Sequence, residues 1–276
     1  MFTGNMSEQT LNKIRACGVE ILPIPEEYLS GRIVIYSFKL YSDFLRDMRG
    51  KYDMVLTSDI RDVIFQRDFF SLCDASKPFL GLALEDAVIS GDPQWNAQWI
   101  IDDYGNDIYQ EVKDDRIKCM GTVWGTYDEF TSFIEELTHE LETRASYGRT
   151  INDQGSANVI LHYNKKFHDI LKASDNADGY VMTIGLTNPQ NIHTDSSGNI
   201  LNGKGEIAAV VHQYDRKPEL VKLVCKKYGQ GMTIFGKMRQ TSTNYTVRRI
   251  ANFIVNIRNN GFIPVVSHAI KRRIHR

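Results

Sequence analysis

Apolar residues recur along this chain at two spacings, and the spacings mark out alternating helices and strands. Ser7 stands before Glu8-Gln9-Thr10-Leu11 as a side chain able to cap a helix, so residues 7–17 are predicted as a short helix that Gly18 ends. Val19–Ile24 then reads as a strand closed by Pro25. That order makes Met1–Thr3 the remnant of an opening strand, with Gly4–Asn5 as the turn after it. Over residues 36–49, Phe38, Tyr41, Phe44, Leu45 and Met48 fall on one side of an amphipathic helix. Within Tyr52–Asp59 a short apolar run gives way abruptly to polar and acidic residues, as expected of a strand buried on both faces of a mostly parallel sheet.

Further strands are predicted at 79–84 and 119–124, and helices at about 127–144 and 153–163. Asn188–Gly205 is rich in Asn, Gly, Ser and Asp and reads as a long loop or hairpin before a strand at Ile207–His212. Beyond about residue 230, Val247, Ile250, Phe253, Ile254 and Ile257 give residues 244–258 amphipathic helical character. The alternation predicts an α/β fold: one domain over 1–229, then a helical tail over 230–276.

Composition changes this picture little until charge is resolved along the chain. A 42% hydrophobic, 24% charged sequence belongs with soluble globular proteins. No apolar run approaches the roughly 20 residues that span a bilayer. The N-terminus lacks a basic region followed by an apolar stretch, so no signal peptide is expected. Cys17, Cys73, Cys119 and Cys225 stand at no metal-binding or redox spacing and are expected as reduced thiols of a cytoplasmic protein. The formal net charge is −1, yet after Glu219 no acidic residue occurs and twelve Lys and Arg do. Such a tail suits an anionic membrane surface, the acidic part of the same chain, or a partner. No nucleic-acid-binding motif accompanies it, and nucleic acid is not expected as a partner.

The candidate chemistry begins at Ser58-Asp59-Ile60-Arg61-Asp62, at the C-terminal end of the strongest predicted strand. Ligands of open α/β sheets bind beyond such strand ends. Two carboxylates three residues apart there can face one hard cation, or can simply cap a turn and pair with Arg61. The longer run Tyr52–Phe70 resembles the DxD-type region of GT-A glycosyltransferases, particularly bacterial surface-polysaccharide (O-antigen and capsule) enzymes whose version reads Asp-x-Arg-Asp-Val-x-Phe-Gln. Glycogenin-like transferases are a more distant likeness. The resemblance implies a Rossmann-like, mostly parallel sheet flanked by helices, a divalent cation (Mn²⁺ or Mg²⁺) and a nucleotide-sugar donor. It implies Asp59 as a metal contact, Asp62 as a possible third ligand, and Arg61 as a contact to phosphate or donor sugar.

Three later blocks extend the resemblance in order. Ile117–Thr126 is similar to the strand that passes under the donor sugar, with Gly121 either a binding or a packing glycine and Cys119 where the family has Asn. Asn152-Asp153-Gln154 resembles the helix start that contacts the donor sugar. Asp153 then binds sugar hydroxyls or serves as a base, and Gln154 joins it, unless this is only a helix cap. Val210–Pro218 resembles the block in which a His completes the metal site and a Lys before Pro contacts the diphosphate, here His212 and Lys217. Trp95 and Trp99 stand where an acceptor groove or simple helix packing would use them.

The resemblance implies transfer of a hexose, galactose or glucose, from a UDP-sugar to a glycan or lipid-linked glycan. An enzyme of that kind is expected in the cytoplasm, peripheral on the inner face of the membrane through its tail. Two alternatives remain at this stage: a sugar nucleotidylyltransferase, for which only Thr3-Gly4-Asn5 offers a glycine near the N-terminus, and a non-catalytic glycan- or partner-binding domain.

Overall fold

The computed structural model describes residues 1–4, 6–29, 33–149 and 151–228. The predicted tail, 230–276, lies outside the described residues. In chain order the elements are β1 (Phe2–Thr3), α1 (Glu8–Arg15), β2 (Leu22–Pro23), α2 (Glu26–Leu29), α3 (Ile33–Asp47), β3 (Met54–Ser58), β4 (Val63–Phe65) and β5 (Leu80–Val88). There follow α4 (Asn96–Tyr104), α5 (Asn106–Val112), β6 (Arg116–Thr126), α6 (Tyr127–Ser146), α7 (Asp153–Tyr163), β7 (Leu171–Ser174) and β8 (Val181–Thr183). The last are β9 (His193–Thr194), β10 (Ile200–Leu201), β11 (Val210–His212) and α8 (Pro218–Lys227). The protein is α/β, as its periodicity predicts. No helix among the described residues is long and apolar enough to cross a membrane.

Two compact units share the chain. Among the described residues, the first takes Met1–Thr57, Asp74–Leu82 and Ala87–Ala173; the second takes Ser58–Cys73, Ala83–Asp86 and 174–228.

Most of a four-stranded sheet ordered β3–β6–β5–β7 belongs to the first unit. Tyr127 N–H donates to Asp53 O while Thr57 Oγ1 donates to Val123 O, so β6 runs against β3. Thr126 N–H donates to Phe79 O and Ile89 N–H to Asp115 O, so β6 also runs against β5. β3 forms an edge of this sheet, and its five residues are half-buried rather than buried on both faces as the apolar run suggests. Below the sheet, Ile35, Phe38 and Leu45 of α3 meet Phe130, Phe133, Ile134 and Leu137 of α6 in one core with Leu80, Leu82 and Val123. Removing these side chains from water is the main favourable contribution to this unit's folding. Gly81 is required by that packing, because a Cβ there would overlap the fully buried Trp124 indole. Ser7 caps α1 by accepting the Thr10 N–H, as its position predicts.

In the second unit β11 is the middle of three strands. It runs antiparallel to β4, pairing His212 with Val63, and parallel to β8, pairing His212 with Thr183. β9 and β10 form an antiparallel hairpin inside the predicted 188–205 loop. Gln66 secures that hairpin: its Nε2 donates to Ile200 O and Ala208 O, and its Oε1 accepts the Ile200 N–H. Leu220, Val221 and Val224 of α8 bury against Met182, Ile184, Val211 and Tyr214. The chain end of β11 is therefore held from both sides and from one face.

Candidate functional site

His212 closes β11, so the register that fixes it also fixes its neighbours. Val63 opens β4 opposite His212, and the residue before Val63 is Asp62. The Gln213 N–H donates to Asp62 O at 2.8 Å and extends the ladder by one bond. An antiparallel pair thus brings together residues 150 positions apart, which no local pattern could do.

The His212 Nε2 lies 3.1 Å from Asp59 Oδ2 and 3.8 Å from Asp62 Oδ2. One ligand atom from each of Asp59, Asp62 and His212 falls within 4.8 Å of the others. Ligands of an octahedral ion at about 2.1 Å stand about 3 Å apart when adjacent and about 4.2 Å when opposite. The side chain of Asp59 is 59% exposed, whereas those of His212 and Asp62 are buried. The cluster therefore has two ligands anchored in the fold and one at its open side.

The imidazole's other nitrogen supports this arrangement. Nδ1 lies 3.2 Å from the Thr183 hydroxyl, the residue that β8 places beside His212. Thr183 is itself held by Asn176, which accepts the Thr183 N–H and donates to the Thr183 carbonyl. In the tautomer whose Nδ1–H donates to Thr183, Nε2 turns a lone pair toward two carboxylates. That contact is repulsive unless a proton or a cation lies among the three groups. Two carboxylates and one imidazole are a donor set that Mn²⁺ accepts well, and Mg²⁺ also accepts through oxygen. The residues present fit the cation that the sequence resemblance implies. Burial raises the pKa of Asp62, and the nearby Asp215 and Asp59 charges add to the rise, while His212 and Arg61 oppose it. A divalent charge beside it would reverse that balance.

Lys217 stands five residues beyond His212 and just before α8. Its Nζ donates to Gly185 O (3.2 Å) and Thr187 O (2.6 Å), neutral acceptors, and no ion pair of Lys217 occurs among the described residues. Burial lowers its pKa, the neighbouring Arg216 lowers it further, and only Asp86 opposes them. A half-buried ammonium held by carbonyls alone suits an anion. Arg216 and Lys217 also line a groove of about 520 Å³ with Ile192, Leu220 and Leu223. Arg61 pairs with the buried Asp215 at 3.7 Å.

The remaining predicted site residues belong to the first unit. Asp153 is the first residue of α7, half-buried, and the cap is its neighbour Asn152, whose side chain accepts the Gly155 N–H. Gln154 ties α7 to its surroundings: Nε2 donates to Asn96 Oδ1 and Oε1 accepts the Met120 N–H. Gly121 is buried in the middle of β6. The Trp95 and Trp99 rings pack against each other, centroids 5.9 Å apart, with Trp95 still largely exposed. Sequence reasoning missed Thr183 and Asn176. A Thr in a short apolar strand and an Asn in a loop carry no signal until β8 is known to lie beside β11.

No family model and no curated protein matches the chain. Among solved structures it is similar to the galactosyltransferase LgtC in complex with donor and acceptor sugar analogues. The match has a TM-score of 0.42 at 15% identity, over 81% of this chain and 82% of that one. At that level of likeness no role passes from that protein to any residue here.

Proposed function

We propose that this protein is a divalent-cation-dependent glycosyltransferase that moves a hexose, galactose or glucose, from a UDP-sugar to a hydroxyl of a surface polysaccharide or lipid-linked glycan. The observation that carries the proposal is the convergence of Asp59, Asp62 and His212, read together with the DxD-like run in which the two aspartates occur. Those three side chains would hold Mn²⁺ or Mg²⁺. When bound, the ion supplies charge that neutralises a diphosphate as it leaves the sugar.

The chain's own groups divide the remaining work. Thr183 fixes the His212 ring, so that Nε2 is aimed before any ligand arrives. Lys217, half-buried and held by the carbonyls of Gly185 and Thr187, binds the diphosphate. Arg61 contacts phosphate or donor sugar. Asp153, with Gln154 beside it and Gly121 on β6, serves the donor sugar or the acceptor hydroxyl. The basic segment after Glu219 draws the enzyme to an anionic membrane surface, on the cytoplasmic face where a lipid-linked acceptor would be extended.

The test is release of UDP from a panel of UDP-hexoses with Mn²⁺ present. One donor should be turned over by the wild type, with turnover lost in chelator and in Asp59→Ala. Nucleotide binding without turnover of any donor, across a panel of glycan acceptors, would favour a non-catalytic binding domain instead.

A further inference from the structure

The buried carboxylate of Asp215 is used by nothing assigned above. Its side chain is 4% exposed, and its ion-pair partner among the described residues is Arg61, which is 59% exposed. Asp215 sits in the 3-10 turn Tyr214–Arg216, directly after Gln213. Gln213 adopts a left-handed backbone (φ 62°, ψ 27°), a conformation disfavoured for a non-glycine residue because its Cβ crowds the following carbonyl oxygen. Strain of this kind persists only where the surroundings impose it.

Here the surroundings do. The Gln213 N–H is committed to Asp62 O, and the Gln213 carbonyl accepts the Arg216 N–H at 3.2 Å. Its side chain leaves no room for a Cβ at Gly185, which would overlap the Gln213 amide. The left-handed residue turns the chain back, so that the turn after His212 faces the loop before Val63. One side of the pairing presents Asp215, and the other presents Arg61, whose neighbour Asp62 is itself a proposed ligand. Arg61 directly precedes Asp62, and the Gln213 N–H bond to Asp62 O holds the turn that carries Asp215 against the same residue, so the pair borders the cation cluster.

We infer that Asp215 is a positioning residue that holds the Arg61 guanidinium at the rim of the cation cluster, where it receives the diphosphate of the nucleotide. The inference rests on the transferase reading of the same site. An exposed arginine otherwise samples many rotamers, and ordering it on binding weakens the contact. A buried carboxylate fixes it in advance and keeps one face of the guanidinium for the ligand. The formal charges agree: three carboxylates against one guanidinium and a divalent ion leave the cluster neutral, so Lys217 and Arg216 remain for the diphosphate.

The sign of one substitution separates this role from a simple charge effect. Removing a negative charge near an anion site should by itself strengthen anion binding. Loss of a positioning residue should weaken it. The experiment is calorimetric titration of UDP at saturating Mn²⁺ into wild type, Asp215→Asn, Arg61→Ala and the double variant, with thermal unfolding to establish that each is folded. The expected result is about tenfold weaker binding in each single variant, and no further loss when Asp215→Asn is added to Arg61→Ala. Tighter binding in Asp215→Asn, or independent losses that multiply in the double variant, would overturn the inference. Should Asp215→Asn not fold, Arg61→Lys keeps the charge without the planar fork and is expected to bind nearly as weakly as Arg61→Ala; wild-type affinity in Arg61→Lys would overturn the inference. A wild type that binds no UDP at all would count against the transferase reading itself, a different outcome from any of these.

Discussion

His212 and Thr183 are register partners on the parallel strands β11 and β8, and the Thr183 hydroxyl lies 3.2 Å from the imidazole Nδ1. That one contact sets which ring nitrogen faces Asp59 and Asp62. Thr183→Val should therefore leave the β8–β11 pairing intact while loosening the ring. We expect Mn²⁺ affinity to fall roughly tenfold, the usual consequence of removing a partner behind a ligating histidine. A Mn²⁺ titration of the folded variant checks this, and unchanged affinity would show that Thr183 does not orient the ring.

Asp59 contributes an exposed ligand, so its removal should cost no packing. Asp59→Ala is expected to unfold in chelator at the wild-type temperature or slightly above, since a like charge near Asp62 disappears. In Mn²⁺ it should lose most of the wild type's stabilisation. A site occupied at 100 times its Kd adds about 2.7 kcal/mol, easily read in thermal unfolding.

Lys217 has a different signature. Its ammonium is half-buried and makes no ion pair among the described residues, and burial lowers its pKa. Lys217→Met keeps the stem and removes the charge; relief of the desolvated ammonium offsets the loss of its bonds to Gly185 O and Thr187 O, so the ligand-free protein should stay within about 1 kcal/mol of wild type. UDP binding should weaken by about tenfold or more, the loss of a charge-assisted contact. A loss of stability with unchanged UDP affinity would assign Lys217 to the fold instead.

Away from the cation cluster, Asp103 predicts a pH dependence of stability. It is buried at the end of α4, where one oxygen accepts the Asn152 N–H. Burial pushes its pKa up to about 6, with Asp102 adding, while the Asn152 hydrogen bond, Arg144 and Arg149 oppose. The folded state thus holds this proton more tightly than the unfolded chain does. Its contribution is most favourable below the unfolded pKa near 4, declines through pH 4–6, and is constant above. The effect is on the order of 2 kcal/mol. Asp103→Asn should flatten the dependence of unfolding temperature on pH between 4 and 7.

Gly81 gives a purely structural prediction. Gly81→Ala places a methyl into the Trp124 ring and should destabilise by about 1–3 kcal/mol, seen as a lower denaturation midpoint with unchanged slope.

Much of this was legible in the sequence where the signal is local. The helix at 153–163 has those bounds in the structure, and the amphipathic face of α3 is the one that buries Phe38 and Leu45. Ser7 and Asn152 are caps because short polar side chains precede helical runs. Signals failed where tertiary pairing decides. β4, β7 and β8 have three or four residues each, too few for periodicity to declare itself, and their pairing partners are distant. The two-unit division was also invisible, because the chain crosses between the units several times and no linker composition marks a boundary. Asp59, Asp62 and His212 were found through motif resemblance. That they meet is a consequence of β4 pairing with β11, which the sequence does not announce.

The most direct test of the account is a Mn²⁺ titration, followed by electron paramagnetic resonance of the free ion, into wild type and His212→Ala with and without UDP. One saturable site is expected in the wild type, tightened by UDP, with a large loss of affinity in folded His212→Ala. Equal Mn²⁺ affinity in the two proteins, or no effect of UDP on the wild type, would contradict it.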